Sequence, residues 1–313
     1  MPALGSKAAP AARDLTRFGW LSIGAALATM GLKFVAWGVT GSVGLLSDAM
    51  ESTVNLAAAV LMLVALQVAA LPPDENHQYG HDKAELFSAA AEGLMIVLAA
   101  TLIVWSAADR LLRPRPLESL GVGLAVSLVA AAVNGAVALV LLRAGRRHRS
   151  RALSADAHHL FTDVVTSAGV LVGVLLVAIT GWEPLDALVA LAVGVNIVRI
   201  GVQVLWQSIG GLMDPPLPPD ELQAVQQVLA RHERPDVLFH ALRSRVSGHR
   251  RFVSVHVLVP GSWTVASGHD LLEQLEHDLR AAVAGLTVFT HLEPIEDPVS
   301  YDDQRLDRSE PRS

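Results

Sequence analysis

Two apolar stretches of the sequence each contain a pair of potential metal ligands four residues apart. Glu51 and Asn55 form one pair, and His159 and Asp163 form the other. Residues four apart share a face of an α-helix, so each pair would present two nitrogen or oxygen ligands side by side. Two such helices facing each other offer four ligands around one point, the tetrahedral arrangement that Zn²⁺ prefers. With a neutral imidazole, the two carboxylates match the charge of one divalent cation.

This arrangement also predicts an exchange of metal for protons. When the metal leaves, Glu51 and Asp163 would face each other in a medium of low dielectric constant and would take up protons. His159 is the group expected to titrate nearest neutral pH. The chain contains no Walker-A pattern, which favours a transporter driven by an ion gradient over one driven by ATP.

A simpler interpretation is that polar side chains in apolar helices only hold the helices together by hydrogen bonds. We expect that role for Asp48 and Asp156. We expect Lys33, Glu92 and Arg199 to be structural as well, either extending toward the membrane surface or forming ion pairs.

The composition indicates a membrane protein. Of the 313 residues, 52% are apolar and only 17% are charged, against about a quarter in soluble domains. Six apolar blocks are each long enough to cross a hydrocarbon core at about 20 residues per helix: Phe18–Val39, Val43–Ala70, Ala84–Ala108, Leu117–Leu142, Leu153–Thr180 and Pro184–Gln207. We predict a cytoplasmic N-terminal tail over residues 1–17 and a six-helix transmembrane domain over 18–210. There is no cysteine, so disulfides and thiolate metal ligands are excluded.

The distribution of Lys and Arg in the short loops predicts that both termini are cytoplasmic. Nine basic residues would then face the cytoplasm and three the opposite side. The nine are Lys7, Arg13, Arg17, Lys83, Arg143, Arg146, Arg147, Arg149 and Arg151, and the three are Arg110, Arg113 and Arg115.

The remainder of the chain predicts a small cytoplasmic α+β domain over residues 211–298. A proline-rich hinge is followed by a helix over Asp220–His232, with Asp220 as its N-cap, strands over Val237–Val246 and Phe252–Val259, a helix over Ala266–Ala284 and a strand over Leu286–Leu292. Residues 211–313 hold 10 basic and 16 acidic side chains and therefore the whole net charge of −6, which argues against nucleic acid as a partner. We predict a disordered tail over 299–313.

These features together resemble the cation diffusion facilitator family, the zinc-transporter-like cation efflux proteins, over residues 15–297. The residues that carry the resemblance are the segment from Ser47 to Asn55, the segment from Ala155 to Asp163, the loop from Asp74 to Glu85 and the histidines of the C-terminal domain. The family usually has Asp-x-x-x-Asp or His-x-x-x-Asp in the second span, where this chain has Glu51 and Asn55. Zinc is the first choice of metal, and because the second span departs from the family pattern, Fe²⁺, Mn²⁺, Co²⁺ and Cd²⁺ are alternatives.

The resemblance implies three metal sites and a dimer contact. The transport site would use Glu51, Asn55, His159 and Asp163; a loop site would use Asp74, His77 and His81; and a cytoplasmic metallochaperone-like domain would bind metal through His240, His256, His269, His291 and Glu293. A pair between Lys83 and Asp214 would stabilise a homodimer.

The sequence thus predicts a homodimeric, multi-pass exporter of divalent metal in a bacterial inner or plasma membrane, in contact with lipid and exchanging metal for protons. It is not expected to be an enzyme, because an intramembrane metal hydrolase would need an open coordination position and a general base, and no His-Glu-x-x-His segment is present. A membrane metal sensor that does not transport is the other alternative, and a flux measurement would distinguish it.

Overall fold

The computed structural model describes residues 10–40, 43–113, 121–182 and 184–302, although some side chains within these ranges, including that of Glu51, lie outside the description. The chain forms two compact units, residues 1–210 and 211–313. The first contains six helices: α1 (Pro10–Thr40), α2 (Val43–Ala69), α3 (Ala84–Leu112), α4 (Gly121–His148), α5 (Arg151–Thr180) and α6 (Pro184–Leu212). The second contains α7 (Pro219–His232), β1 (Leu238–Ser247), β2 (Arg250–Val259), α8 (Val265–Ala282) and β3 (Leu286–Pro294), followed by a 3₁₀ helix, Pro298–Tyr301.

All six helices of the first unit are long and apolar enough to cross a membrane, which confirms the six predicted spans. The helices are held together by a core of apolar side chains from α2, α4 and α5, where Met62, Leu141 and Leu153 are fully buried. Many other large apolar side chains are exposed, such as Trp105 and Ile179. Exposed apolar residues on all helices are what a lipid-facing surface requires.

Helix α5, which carries one of the predicted ligand pairs, has well-defined ends. The Ser150 hydroxyl accepts a hydrogen bond from the backbone N–H of Leu153 at 3.3 Å, which satisfies a free amide of the first turn. The last turn closes on Gly181, which has φ of +70°, a left-handed conformation that favours glycine. These caps fix the length and therefore the depth at which the polar residues of α5 lie.

The second unit is a three-stranded sheet in the order β1-β2-β3 with two helices, as predicted. Strands β1 and β2 are antiparallel, and β2 and β3 are parallel. The valines that alternate along β2, Val253, Val255 and Val257, have no exposed surface. They pack in one core with Leu275 of α8 and Val225 of α7, so both helices cover the same face of the sheet. The opposite face of β2 carries Ser254 and His256 together with the buried Phe252 and Leu258.

Three predicted boundaries are wrong. Helix α1 begins at Pro10, so residues 10–17 belong to a helix and not to the tail. At the start of α7 the N-cap position is Pro218, and Asp220 lies in the first turn, where its charge complements the helix dipole. The tail does not begin at residue 299, because Ser300 is buried and donates a hydrogen bond to the Pro294 carbonyl at 2.8 Å. Residues 303–313 lie outside the described part of the chain, as does the predicted start of the fourth span at Leu117.

Candidate metal sites

The structure brings together three of the four predicted transport-site residues. Asn55 of α2 lies between the two ligands of α5: its amide Nδ2 donates to Asp163 Oδ2 at 2.5 Å, and its Oδ1 is 2.8 Å from His159 Nε2. Both Asn55 and His159 have only 5% of their surface exposed. The i,i+4 spacing on α5 therefore does place imidazole and carboxylate on the face that meets α2. Glu51 lies one turn before Asn55 in α2, but its side chain is outside the described residues.

A fourth polar side chain, Asn134 of α4, was missed by the sequence analysis. Its Nδ2 donates to Asp163 Oδ2 at 3.0 Å, while its Oδ1 is buried without a hydrogen-bond partner among the described residues. Asn134 has 3% of its surface exposed and lies in the apolar stretch of α4 that precedes Arg143. An isolated amide in a membrane span is unfavourable unless it has a partner, and that was the available signal. Asn134 is not one of the four predicted transport-site residues, but its amide helps to orient the Asp163 carboxylate.

This cluster lies at the inner end of a cavity of about 680 Å³. The cavity is lined mainly by apolar side chains of α2, α3 and α6, and its polar groups include Asn55, His159, Asp163 and Arg110. Its lining residues lie in the first half of α2, between Met95 and Arg110 of α3, between His159 and Thr166 of α5, and at the start of α6. From the cluster the cavity therefore extends toward the end of the bundle at which α3 ends and α2 and α6 begin.

At the opposite end of the bundle the helices are tied together. The Ser150 hydroxyl donates to Glu85 Oε2 at 2.5 Å, which joins the start of α5 to the start of α3, and both side chains are buried. Leu153 and Met62, also on that side of Asn55 and His159, are fully buried. Among the described residues, the side of the cluster toward Ser150 and Glu85 is therefore closed by buried side chains.

The predicted loop residues also form a group. Asp74, His77 and His81 can each offer a ligand atom within 4.8 Å of the others. Asp74 contacts both imidazoles, at 3.3 Å through Oδ1 to His77 Nδ1 and at 3.3 Å through Oδ2 to His81 Nε2. Gly80, with φ of +90°, lets the chain turn back so that His81 faces Asp74.

The Asp74 carboxylate has a lowered pKa. The backbone N–H of His77 donates to its Oδ1 at 2.6 Å, and the N–H of Asn76 donates to the same atom at 2.9 Å. Hydrogen bonds to the charged form hold the pKa of Asp74 below its usual value, with the His77 amide contributing most. Asp74 therefore stays charged while the pH falls through the range in which histidines take up protons.

This lowered pKa gives a prediction for the pH dependence of metal binding at the loop. Replacing Asp74 by asparagine should weaken zinc binding at pH 7.5 by about tenfold, because it removes the anionic ligand. The loss should be smaller at pH 6, because the wild-type carboxylate is charged at both pH values and its charge also favours protons on the two imidazoles that it contacts. Isothermal titration calorimetry in a Glu293→Gln background, which lacks the second group of converging ligands, measures both affinities. An unchanged affinity at pH 7.5, or a larger loss at pH 6, would contradict the prediction.

In the second unit, three histidines lie in one row across the sheet. His240 pairs with His256 in the antiparallel ladder, and His256 pairs with His291 in the parallel one. The ring centroids are 5.2 Å apart in the first pair and 5.0 Å in the second. A bulge follows directly after His240, where Ala241 has φ of +51°. Bulges next to functional sites commonly change the direction of a side chain.

Glu293 connects the row. Its Oε2 lies 2.9 Å from His240 Nε2 and 3.1 Å from His256 Nδ1, and its Oε1 lies 3.4 Å from His291 Nε2. His240, His256 and Glu293 form the second group whose ligand atoms converge among the described residues. The ring of Tyr301, from the 3₁₀ helix, lies against His240 with centroids 5.9 Å apart.

Two residues implied by the resemblance stand apart from these groups. His269 is exposed near the start of α8 and does not belong to the converging group, because α8 turns Leu271, Leu275 and Leu279 to the sheet and His269 lies outside that apolar repeat. Asp214, which has φ of +51°, lies 3.5 Å from Arg245 of its own unit. Its contact with Lys83 stays a prediction.

Fold and site together define an integral membrane protein with polar, metal-compatible groups inside its helices. The sequence matches the model of the cation efflux transmembrane domain over residues 19–213 and that of the cytoplasmic domain of cation efflux proteins over 217–295. The chain belongs to the cation efflux, or cation diffusion facilitator, family.

Individual relatives cover most of the chain. An uncharacterised transporter of Synechocystis is 53% identical over 90% of this chain and 91% of its own length. The cation-efflux pump FieF of Serratia proteamaculans is 34% identical, and that of Klebsiella pneumoniae 31% identical, each over 84% of this chain and 87% of the relative. Among solved structures, the zinc form of CzrB is 33% identical over 27% of this chain and 96% of that chain, with a TM-score of 0.25. The metal-bound C-terminal domain of the CzcD transporter from Thermotoga maritima is 25% identical over 25% and 92%, with a TM-score of 0.23.

Proposed function

We propose that the protein exports a divalent transition metal, with zinc first and Fe²⁺, Mn²⁺ or Co²⁺ as alternatives, in exchange for protons. The observation that carries this proposal is the contact of Asn55, His159 and Asp163 at the closed end of a one-sided cavity between membrane-spanning helices. A nitrogen ligand, a carboxylate and an amide oxygen suit a borderline transition metal. Relatives named as cation-efflux pumps over most of the chain support the direction of transport.

The orientation follows from the loop charges, with both termini cytoplasmic. The cavity then opens on the side away from the cytoplasm, because α3 and α5 end there and α2 and α6 begin there. In this orientation the structure corresponds to an outward-facing state, from which metal is released. Opening the Ser150–Glu85 side would give the opposite state, and His159 and Asp163 would accept protons as metal departs.

The loop group and the group around Glu293 would both face the cytoplasm. We propose that the latter binds cytoplasmic metal and, with a Lys83–Asp214 pair, stabilises a homodimer. A carboxylate that contacts three imidazoles concentrates ligands where the strands meet. Metal bound there would report the cytoplasmic concentration without being transported.

Flux in proteoliposomes tests the function. The purified chain is reconstituted with a zinc-sensitive dye and a pH-sensitive dye inside, and zinc is added outside with and without a pH gradient. Zinc entry accompanied by proton exit supports antiport. If zinc binds to the protein but does not enter the vesicles, the result contradicts transport and favours the metal-sensor alternative.

The unusual Asn55 gives a prediction for selectivity. Replacing Asn55 by aspartate restores the carboxylate that the family usually has and removes the amide that donates to Asp163. We expect zinc transport relative to manganese to rise by about tenfold, since an added anionic ligand favours the metal that is higher in the Irving–Williams order. Competition between the two metals in the same vesicles measures the ratio. Asn196→Asp, at an exposed position of α6, is the matched control and should leave it unchanged.

A further inference from the structure

A second pair of acidic side chains lies inside the bundle, and the metal-binding residues do not account for it. Glu92 of α3 has no exposed surface and Asp156 of α5 has 1%. Ala89, one turn before Glu92, packs against Ala155, which adjoins Asp156, so α3 and α5 are in contact where the two carboxylates lie. Glu92 is therefore neither at the membrane surface nor in an ion pair among the described residues, contrary to the prediction from sequence.

Each carboxylate is only half satisfied. The Ser22 hydroxyl of α1 donates to Asp156 Oδ2 at 2.6 Å, and the Ser88 hydroxyl donates to Glu92 Oε1 at 3.2 Å. Asp156 Oδ1 and Glu92 Oε2 are buried without a hydrogen-bond partner among the described residues. Each of these oxygens is a candidate for protonation, because a buried carboxyl without a partner is less unfavourable when it is neutral.

Among the described residues, no lysine or arginine forms an ion pair with either carboxyl group. The titratable groups that act on Asp156 are His159 and Asp163 of its own helix, in addition to Glu92. Helix α6 meets α3 here with apolar Val204 and the backbone of Leu205, at Gly93. On α1, Lys33 lies eleven residues beyond Ser22, which is about 16 Å along the helix from the residue that contacts Asp156. On α3, the other buried carboxylate, Glu85, accepts its hydrogen bond from Ser150. Two adjacent buried carboxylates without a cation are unfavourable unless at least one is protonated.

The pair lies on the sealed side of the cavity. Asp156 precedes His159 by three residues and Glu92 precedes Met95 by three, so each is about 4.5 Å along its helix from a residue that lines the cavity. Both displacements point toward the end of the bundle that Ser150 and Glu85 close. When that end opens, the pair would be the next polar group to meet water.

We propose that Glu92 and Asp156 form a proton-binding site, separate from the metal ligands, that carries a coupled proton across the membrane. This inference rests on the proposed antiport function. A carboxylate takes up one proton from the outer side, and the pair releases it when the sealed end opens to the cytoplasm. Metal bound near Asp163 and a proton bound at Asp156 then compete, because both charges act on the same segment of α5.

The test uses the full chain in proteoliposomes and separates two readouts. Gradient-driven zinc accumulation depends on coupled protons, whereas exchange of isotopic zinc for unlabelled zinc at equal pH does not. The accumulation ratio is the steady-state concentration of zinc inside the vesicles divided by that outside. If Glu92→Gln removes one coupled proton from the transport cycle, this ratio should fall by about tenfold for each pH unit of the gradient, while isotope exchange continues. Asp156→Asn should do the same, and Glu92→Asp should restore coupling in part. Asp109→Asn, near the other end of α3, is the control.

Each alternative outcome has a distinct meaning. Wild-type zinc flux with unchanged proton dependence in both Glu92→Gln and Asp156→Asn overturns the proton site and leaves the transporter. Loss of accumulation and exchange together, in a variant that elutes as a single folded species, shows a structural role and also overturns it. If Glu92→Gln does not fold, Ser22→Ala, which removes the hydroxyl donor to Asp156, decides the question by the same two readouts. Absence of zinc flux in the wild type would instead refute the proposed function.

Discussion

Replacing Asp163 by alanine is expected to abolish metal transport, with a loss of at least about 100-fold. The carboxylate accepts hydrogen bonds from the amides of both Asn55 and Asn134, so it is the point at which α2, α4 and α5 meet. Asp163 also supplies the negative charge among the described residues of this cluster. Without it, one imidazole and two amides remain, and these neutral groups cannot balance the charge of a divalent cation. Initial rates of zinc entry into proteoliposomes, normalised to the protein reconstituted, measure the effect.

Two further variants separate charge from packing at this position. Asp163→Asn keeps the shape of the side chain and removes only its charge, and it should be as inactive as the alanine variant. Asp109→Asn removes an accessible carboxylate that lies 4.0 Å from Arg113 at the end of α3, and it should transport normally. A wild-type rate in Asp163→Ala would refute the assigned transport site.

Replacing Glu293 by alanine is expected to eliminate metal binding at the sheet while transport persists. Glu293 has 7% of its side chain exposed and contacts His240, His256 and His291. Without it the histidines lose the anionic ligand and the group that orients their rings, and the affinity should fall by at least about 100-fold. Equilibrium dialysis of the full-length protein should then show fewer zinc ions bound per chain.

The control for this experiment is Glu273→Gln, an exposed carboxylate of α8. It should bind as much zinc as the wild type. If Glu293→Ala retains the full zinc stoichiometry, the histidine row is a structural feature of the sheet. If it loses zinc and also loses all flux, the domain is required for transport itself and is more than a sensor.

The regular features of this chain could be predicted from sequence because each depends on a local repeat. Alternating valines define β2 and its buried face, and the spacing of His159 and Asp163 places both on one side of α5. The row of histidines across three strands could not be derived in this way. It depends on the register between β1, β2 and β3, which no single strand encodes.

The residues that the sequence analysis missed or misjudged share a different property: their role depends on helix packing. Asn134 has no polar partner in its own helix, and Glu92 has only Ser88. The roles of both residues depend on the packing of α4 and α3 against α5. The tail boundary failed for a similar reason, since Ser300 is polar in sequence but bonded to Pro294 in the fold.

The one-sided cavity has a practical consequence because the chain has no cysteine. A single thiol introduced by Ser106→Cys, among the residues that line the cavity, would be the only site for a maleimide reagent, without any prior removal of native thiols. Labelling with a membrane-impermeant reagent from each face of intact cells would then report which compartment the cavity meets. The same thiol could carry a fluorophore that follows opening and closing during turnover.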